Sequence, residues 1–221
     1  MSSCKFIMVF GGVALLLSQV AGTPVRANPL DPAVVISQTG PGTGSWTTGA
    51  QESNAVSWSS LFGYSDVKIS AKLIGTATGT AYLTRQIGPG TSAADLLKSA
   101  SFTENSNAPE WVMLFSGLTL GPGTYYLTLG SPAPCCSGWA NTFDPTLVTA
   151  PGVTYNGSYF TTNAMAGFNL AFPPASTFDS FETFGLNPLQ FQVIVPEAST
   201  LMLLGSGLAV LFLLWRRREE T

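Results

Sequence analysis

Between Asp66 and Gly75 the chain reads DVKISAKLIG, with Val67, Ile69, Ala71 and Leu73 alternating against Lys68, Ser70 and Lys72. A period of two suits a strand that has one face in a core and one in water, and it fits no helix. Similar runs recur at 33–39 (AVVISQT), 80–88 (TAYLTRQIG), 110–120 (EWVMLFSGLTL), 123–131 (GTYYLTLGS), 153–162 (VTYNGSYFTT) and 188–195 (PLQFQVIV). Their Thr, Val, Tyr and Phe favour a pleated surface. The tetrapeptide GPGT stands at Gly40–Thr43, Gly88–Thr91 and Gly121–Thr124, and Pro followed by Gly predicts type II turns between strands. Only TSAADLLKSA (91–100) reads as helical, with Ser92 as N-cap. Many short strands and frequent turns predict an all-β body, a β-sandwich of jelly-roll type, over residues 28–195.

The two ends have a different character. Lys5 precedes the apolar FIMVFGGVALLL (6–17), and PVRA places small residues at Val25 and Ala27, the pattern signal peptidase reads. Residues 1–27 are therefore expected to be a secretory signal cut after Ala27. The apolar run is shorter than the ~20 residues a spanning helix needs. Cys4 precedes that run instead of following it, which argues against lipoprotein anchoring.

Ala198–Trp215 contains no charge and is rich in Leu. As a helix it would reach about 27 Å, enough to cross a thin bilayer. Arg216, Arg217 and Arg218 follow and are expected to stay cytoplasmic, leaving the N-terminal body outside. An all-round apolar helix is unlike a core helix, which shows a stripe.

Immediately upstream stand Val195, Pro196 and Glu197. A Pro-Glu motif, an apolar helix containing the Gly205–Gly207 patch and a terminal Arg cluster occur in the order and spacing of the PEP-CTERM protein-sorting signal, which residues 196–221 resemble. The family usually has Pro where this chain has Ala198. The resemblance implies an exported protein of a Gram-negative, exopolysaccharide-producing bacterium. It implies a transient inner-membrane anchor, and an exosortase-type membrane protease that recognises Pro196 and Glu197 and cuts near them. Those residues then belong to a substrate, as in a glycolipid-anchor signal whose tail is absent from the mature protein. The stretch LFSGLTLGPGTYYLTLGSP, followed by GW, is also similar to bodies that accompany such signals.

Composition narrows what the body does. Residues 28–197 hold ten Asp or Glu against four Lys or Arg, so the exported portion is acidic and nucleic-acid binding is set aside. The chain has no His, which removes Ser-His and Cys-His nucleophile systems and imidazole ligands for zinc. No metal or cofactor is expected, and no DxDxDG-like calcium loop occurs. Asp179 and Glu182 in FDSFETF are the nearest acidic pair for a glycoside hydrolase, but a solvated loop beside buried Phe178, Phe181 and Phe184 accounts for them more simply.

Cys135 and Cys136 are adjacent, and Cα atoms ~3.8 Å apart fall below the ~4.4 Å usual for a bridge. A strained vicinal disulfide, bonds to other chains and two free thiols all remain open, the ring being favoured by the Pro-, Ser- and Gly-rich loop around it. Among the aromatics, Trp46 and Trp139 stand in such loops and are the expected exposed rings for sugar stacking. The body is thus expected to be a non-enzymatic structural or adhesive protein of the cell surface or polysaccharide matrix. A carbohydrate-binding module for exopolysaccharide is the first alternative, and a secreted hydrolase the second.

Overall fold

A computed structural model describes residues 33–42, 44–132 and 137–196. The signal segment 1–27 with Ala27, the Cys135–Cys136 pair, Glu197, the apolar run 198–215 and Arg216 to Arg218 lie outside the described residues.

Eleven strands account for the architecture: β1 (Ala33–Thr39), β2 (Ser45–Thr47), β3 (Glu52–Ser60), β4 (Tyr64–Thr84), β5 (Leu96–Leu120), β6 (Gly123–Gly130), β7 (Ser137–Ala140), β8 (Thr146–Thr149), β9 (Val153–Thr162), β10 (Asp179–Ser180) and β11 (Phe191–Val195). The all-β expectation holds. The strands form one hydrogen-bonded sheet, however, where a sandwich was expected to have two; it curls into a half-barrel.

The reason lies in β4. On one edge it pairs along its whole length with β5, from Tyr64 opposite Leu120 to Thr84 opposite Leu96. Its other edge takes three partners in succession: β11 at Lys68–Ala71, β7 at Leu73–Gly75 and β6 at Thr80–Thr84. A straight strand of 21 residues would run about 70 Å. The ladder is irregular at several points and shifts most between Leu73 and Gly75, where Asn107–Pro109 of β5 face the single Ile74 of β4, two residues in excess, and the ribbon bends there. Gly63 at one end of β4 sits against Leu120 and Pro122, while Arg85 at the other end donates to the Pro122 carbonyl at 3.4 Å. The two ends of β4 therefore approach one another, and the strands attached to its two halves come face to face.

From the first half extend β11, β1 and β8; from the second extend β6, β3, β9 and β10. Val67, Ile69, Ala71 and Leu73 are fully buried, as the alternation requires. Trp58 of β3 stacks on Tyr125 of β6 at 5.6 Å, and Phe191 of β11 meets Trp58 from across the core at 5.8 Å.

The helix expected at 91–100 is absent. Ser92 does cap, its hydroxyl accepting from the Ala94 amide while Asp95 accepts from the Ser92 amide, but only a 3-10 turn over Ala93–Asp95 follows. From Leu96 onward pairing with β4 wins over the weak helical preference of a short segment. The turn expected at Gly88–Thr91 is present: the Thr91 amide donates to Gly88 at 3.1 Å and Gly90 has φ +96°. At Gly121–Thr124, Gly123 is already the first residue of β6.

Opposite Ala77 on the inner side of the bend lies Glu104, only 1 % exposed, and neither carboxylate oxygen has a well-formed hydrogen bond. Burial pushes its carboxyl up to about 7, the charge of Glu110 adds to this and the Ser106 amide opposes it. Burial likewise pushes Glu52 up to about 7. Both carboxyls bind protons more tightly folded than unfolded, so their contribution to stability is complete below about pH 4.5 and is lost as pH rises through about 7. Thermal melts should show Glu104→Gln stabilising the protein by about 2 kcal/mol at pH 8, with the gain vanishing near pH 4. Equal effects at both pH values would mean that the Glu104 carboxylate is already compensated.

Candidate functional site

Two regions matter for function, and the first is the point where the sorting motif leaves the fold. β11 is an inner strand: Val195 opposes Ala33 of β1, and Ile194 opposes both Val34 of β1 and Lys68 of β4. The ladder thus continues to the residue before Pro196, which has no amide hydrogen with which to extend it. Val195 and Pro196 are half-buried. No linker separates the folded body from the motif.

The second region is a cleft on the outer side of β6, β3 and β9. Along these strands Trp58, Tyr125 and Tyr155 point inward, so their neighbours Ser57 and Tyr126 face out, and the bulge at Asn156 brings Gly157 opposite Ser57. The opposite face is also partly covered, since the segment after β9 returns over it and the Gly88 amide donates to the Pro174 carbonyl at 2.8 Å. At the margin of that cover, Tyr126, Tyr159, Phe178, Thr177 and Pro89 line a cleft of about 200 Å³. The two tyrosine rings lie 6.4 Å apart and tilted.

Glu182, in the Phe181–Phe184 turn, lies near Tyr159 without lining the cleft. Its carboxylate accepts from the Ser158 amide at 3.2 Å and from the Ser180 hydroxyl at 2.6 Å, and the Tyr159 hydroxyl donates to the Asn156 carbonyl at 3.0 Å. Burial first, then the neighbouring Tyr126 and Glu182, hold the Tyr159 phenol above its ordinary value. It remains a protonated donor across the physiological range. The arrangement offers the half-exposed ring faces and hydroxyls of Tyr126 and Tyr159. Such a set can stack on and hydrogen-bond a neutral polar ring.

The tryptophans chosen from the sequence are elsewhere. Trp139 is fully buried, and its indole donates to the Gln190 carbonyl at 2.8 Å. Trp46 lies opposite it in the β2–β7 pair and packs against Phe160 and Phe181, with centroids at 6.1 and 5.1 Å. Neither is an exposed platform. Their Gly- and Ser-rich surroundings serve close packing, because β2 and β7 lie tight together and a Cβ on Gly138 would come within 2.5 Å of the Ser45 hydroxyl. The signal for the tyrosines was available in β6, where the adjacent Tyr125 and Tyr126 must face opposite sides of the sheet.

Asp179 and Glu182 do not form a free acidic pair. Asp179 opposes Phe160 in β10, and Glu182 is engaged as described. Of the three phenylalanines beside them Phe181 is buried, Phe178 is half-buried and Phe184 is exposed, which corrects the expectation that all three are core. Among the described residues no group of three or more Cys, Asp or Glu could hold a metal ion, and no helix is long and apolar enough to cross a membrane.

The family model for the PEP-CTERM protein-sorting motif matches residues 195–218. No curated protein and no solved structure matches the chain. The motif makes this a PEP-CTERM sorting domain-containing protein, and it implies export, cell-surface sorting and processing by an exosortase.

Trp139→Ala should lower the stability of the protein by about 3–5 kcal/mol in denaturant unfolding, the cost of emptying a buried aromatic position. A loss below about 0.5 kcal/mol would place that ring at the surface after all.

Proposed function

We propose that the half-barrel is a non-catalytic structural or adhesive component of the cell surface or extracellular polysaccharide matrix. It reaches that place as an inner-membrane precursor held by residues 198–215, with Arg216 to Arg218 inside and the body outside. Signal peptidase removes residues 1–27 after Ala27, and an exosortase-type protease cuts near Val195, Pro196 and Glu197. The observation that carries this reading is the fusion of fold and motif, because the last strand is paired with β4 up to Ile194 and with β1 up to Val195. A cut beyond that residue frees an intact body. The absence of His supports a role without nucleophilic catalysis, and the engagement of Glu182 supports a role without paired carboxylates. Cys135 and Cys136 take no part in this reading.

The intact mass of the protein from membrane and extracellular fractions tests it. A C-terminus near Pro196 or Glu197 in the extracellular form is expected, and Pro196→Ala with Glu197→Gln should leave an uncut membrane form. A wild-type protein that retains Thr221 in every fraction would overturn the processing step.

The tyrosine cleft favours a second reading, in which the body binds exopolysaccharide by stacking a sugar ring on Tyr126 and Tyr159. An acidic body suits a neutral polymer better than an anionic one. In isothermal titration against the host polymer, Tyr126→Ala and Tyr159→Ala should each weaken binding about tenfold, equivalent to about 1.4 kcal/mol. Binding that survives both substitutions would exclude the cleft.

A further inference from the structure

We propose that, while the precursor is anchored, the end of the half-barrel where the chain enters and leaves rests on the lipid bilayer, with Leu61 and Phe62 immersed at the headgroup boundary. This inference rests on the reading of residues 198–215 as a membrane anchor.

The register places the relevant pieces together. Val195 leaves beside Ala33 and next to the start of β4. β3 ends at Ser60, opposite the first residues of β6 and β9, Gly123 and Val153. The 61–63 turn, the Gly121–Pro122 corner and the Pro151–Gly152 turn therefore gather at one end of the sheet. Gly63 sits against Leu120 and Pro122, and the Leu61 amide donates to the Gly152 carbonyl at 2.9 Å. The bent tip of β4 and β5, with Asn105 opposite Thr76, lies at the other end.

The tail sets the distance. Only Pro196 and Glu197 separate Val195 from the uncharged run that begins at Ala198. Two extended residues span about 7 Å, about the thickness of the headgroup layer on one side of a bilayer. A body attached so closely has no room to stand clear of the surface.

The 61–63 turn at that end is apolar, with the exposed Asp66 and the Arg85 guanidinium at the Pro122 carbonyl as the charged groups near it. Leu61 is 73 % and Phe62 is 55 % exposed, adjacent on one turn. The turn is fixed: the Ser60 hydroxyl donates to the Phe62 carbonyl at 2.8 Å and accepts from the Phe62 amide at 3.1 Å. The Phe62 ring lies over Gly152, where a Cβ would come within 2.7 Å of it. These side chains are held outward and cannot fold into the core. Pro122, Pro151 and Gly152 around them are exposed and uncharged. A rigid apolar turn beside a membrane tether fits the lipid boundary, where large apolar side chains gain by burial.

The test uses the full-length chain with Cys4, Cys135 and Cys136 replaced by Ser, reconstituted in phosphatidylcholine–phosphatidylglycerol vesicles. Leu61→Cys carries an environment-sensitive NBD fluorophore, Phe62→Cys carries it in a second preparation, and Asn105→Cys is the reference. Near-ultraviolet circular dichroism unchanged from the unlabelled chain verifies the fold. The expected result is a chain that floats with the vesicles, a severalfold brighter and blue-shifted label at 61 and 62, and a water-like label at 105. A chain that floats while both turn labels match position 105 overturns the lipid contact and leaves the turn open to a protein partner. A chain that does not float removes the anchor reading and this inference with it.

Discussion

The backbone hydrogen bonds along β4 hold the rest of the body in place. Its amides and carbonyls serve β5 on one edge and β11, β7 and β6 on the other, so both halves of the sheet hang from a single strand. Because the ladder is interrupted between Leu73 and Gly75, those halves turn toward each other. The core then follows from side-chain alternation, with Trp58 and Tyr125 contributed by one half and Phe191 by the other. Few polar groups pay the cost of this arrangement. Glu104 is the clearest, shut in beside the bend with the Ser106 amide offsetting only part of the cost of burying its charge.

Much of this was legible in the residues. The run from Val67 to Leu73 announced a half-buried strand and is one, and Ser92 announced a cap and forms one. What followed Ser92 was not legible, because Leu96 and Leu97 suit a helix and a strand almost equally and the partner that decides is β4, a non-local element. The single sheet was hidden for a similar reason. Short alternating runs show where strands lie, but the chain carries no local mark that one strand serves both halves. The break opposite Asn107–Pro109 is visible only once the register is known.

The aromatic site shows the same limit in a different form. Loop composition suggested Trp46 and Trp139, yet small residues there allow close packing that buries Trp139 and half-buries Trp46. The half-exposed rings are Tyr126 and Tyr159, whose outward direction depends on the alternation within β6 and β9 and on the segment that returns across those strands. The sorting motif was legible in full because it is read by a protease as a linear address and needs no fold to be recognised.

One consequence concerns timing. β11 is an inner strand, but it is made last, directly ahead of the tail. Until it arrives, β1 and the first half of β4 have no common neighbour, and Phe191 and Val193 are missing from the core. The body can close only when Val195 is free to pair, and under the proposed anchoring the apolar run 198–215 follows it into the export channel two residues later. On that reading the residue that completes the fold and the first residue of the proposed stop-transfer run are separated by two residues of chain.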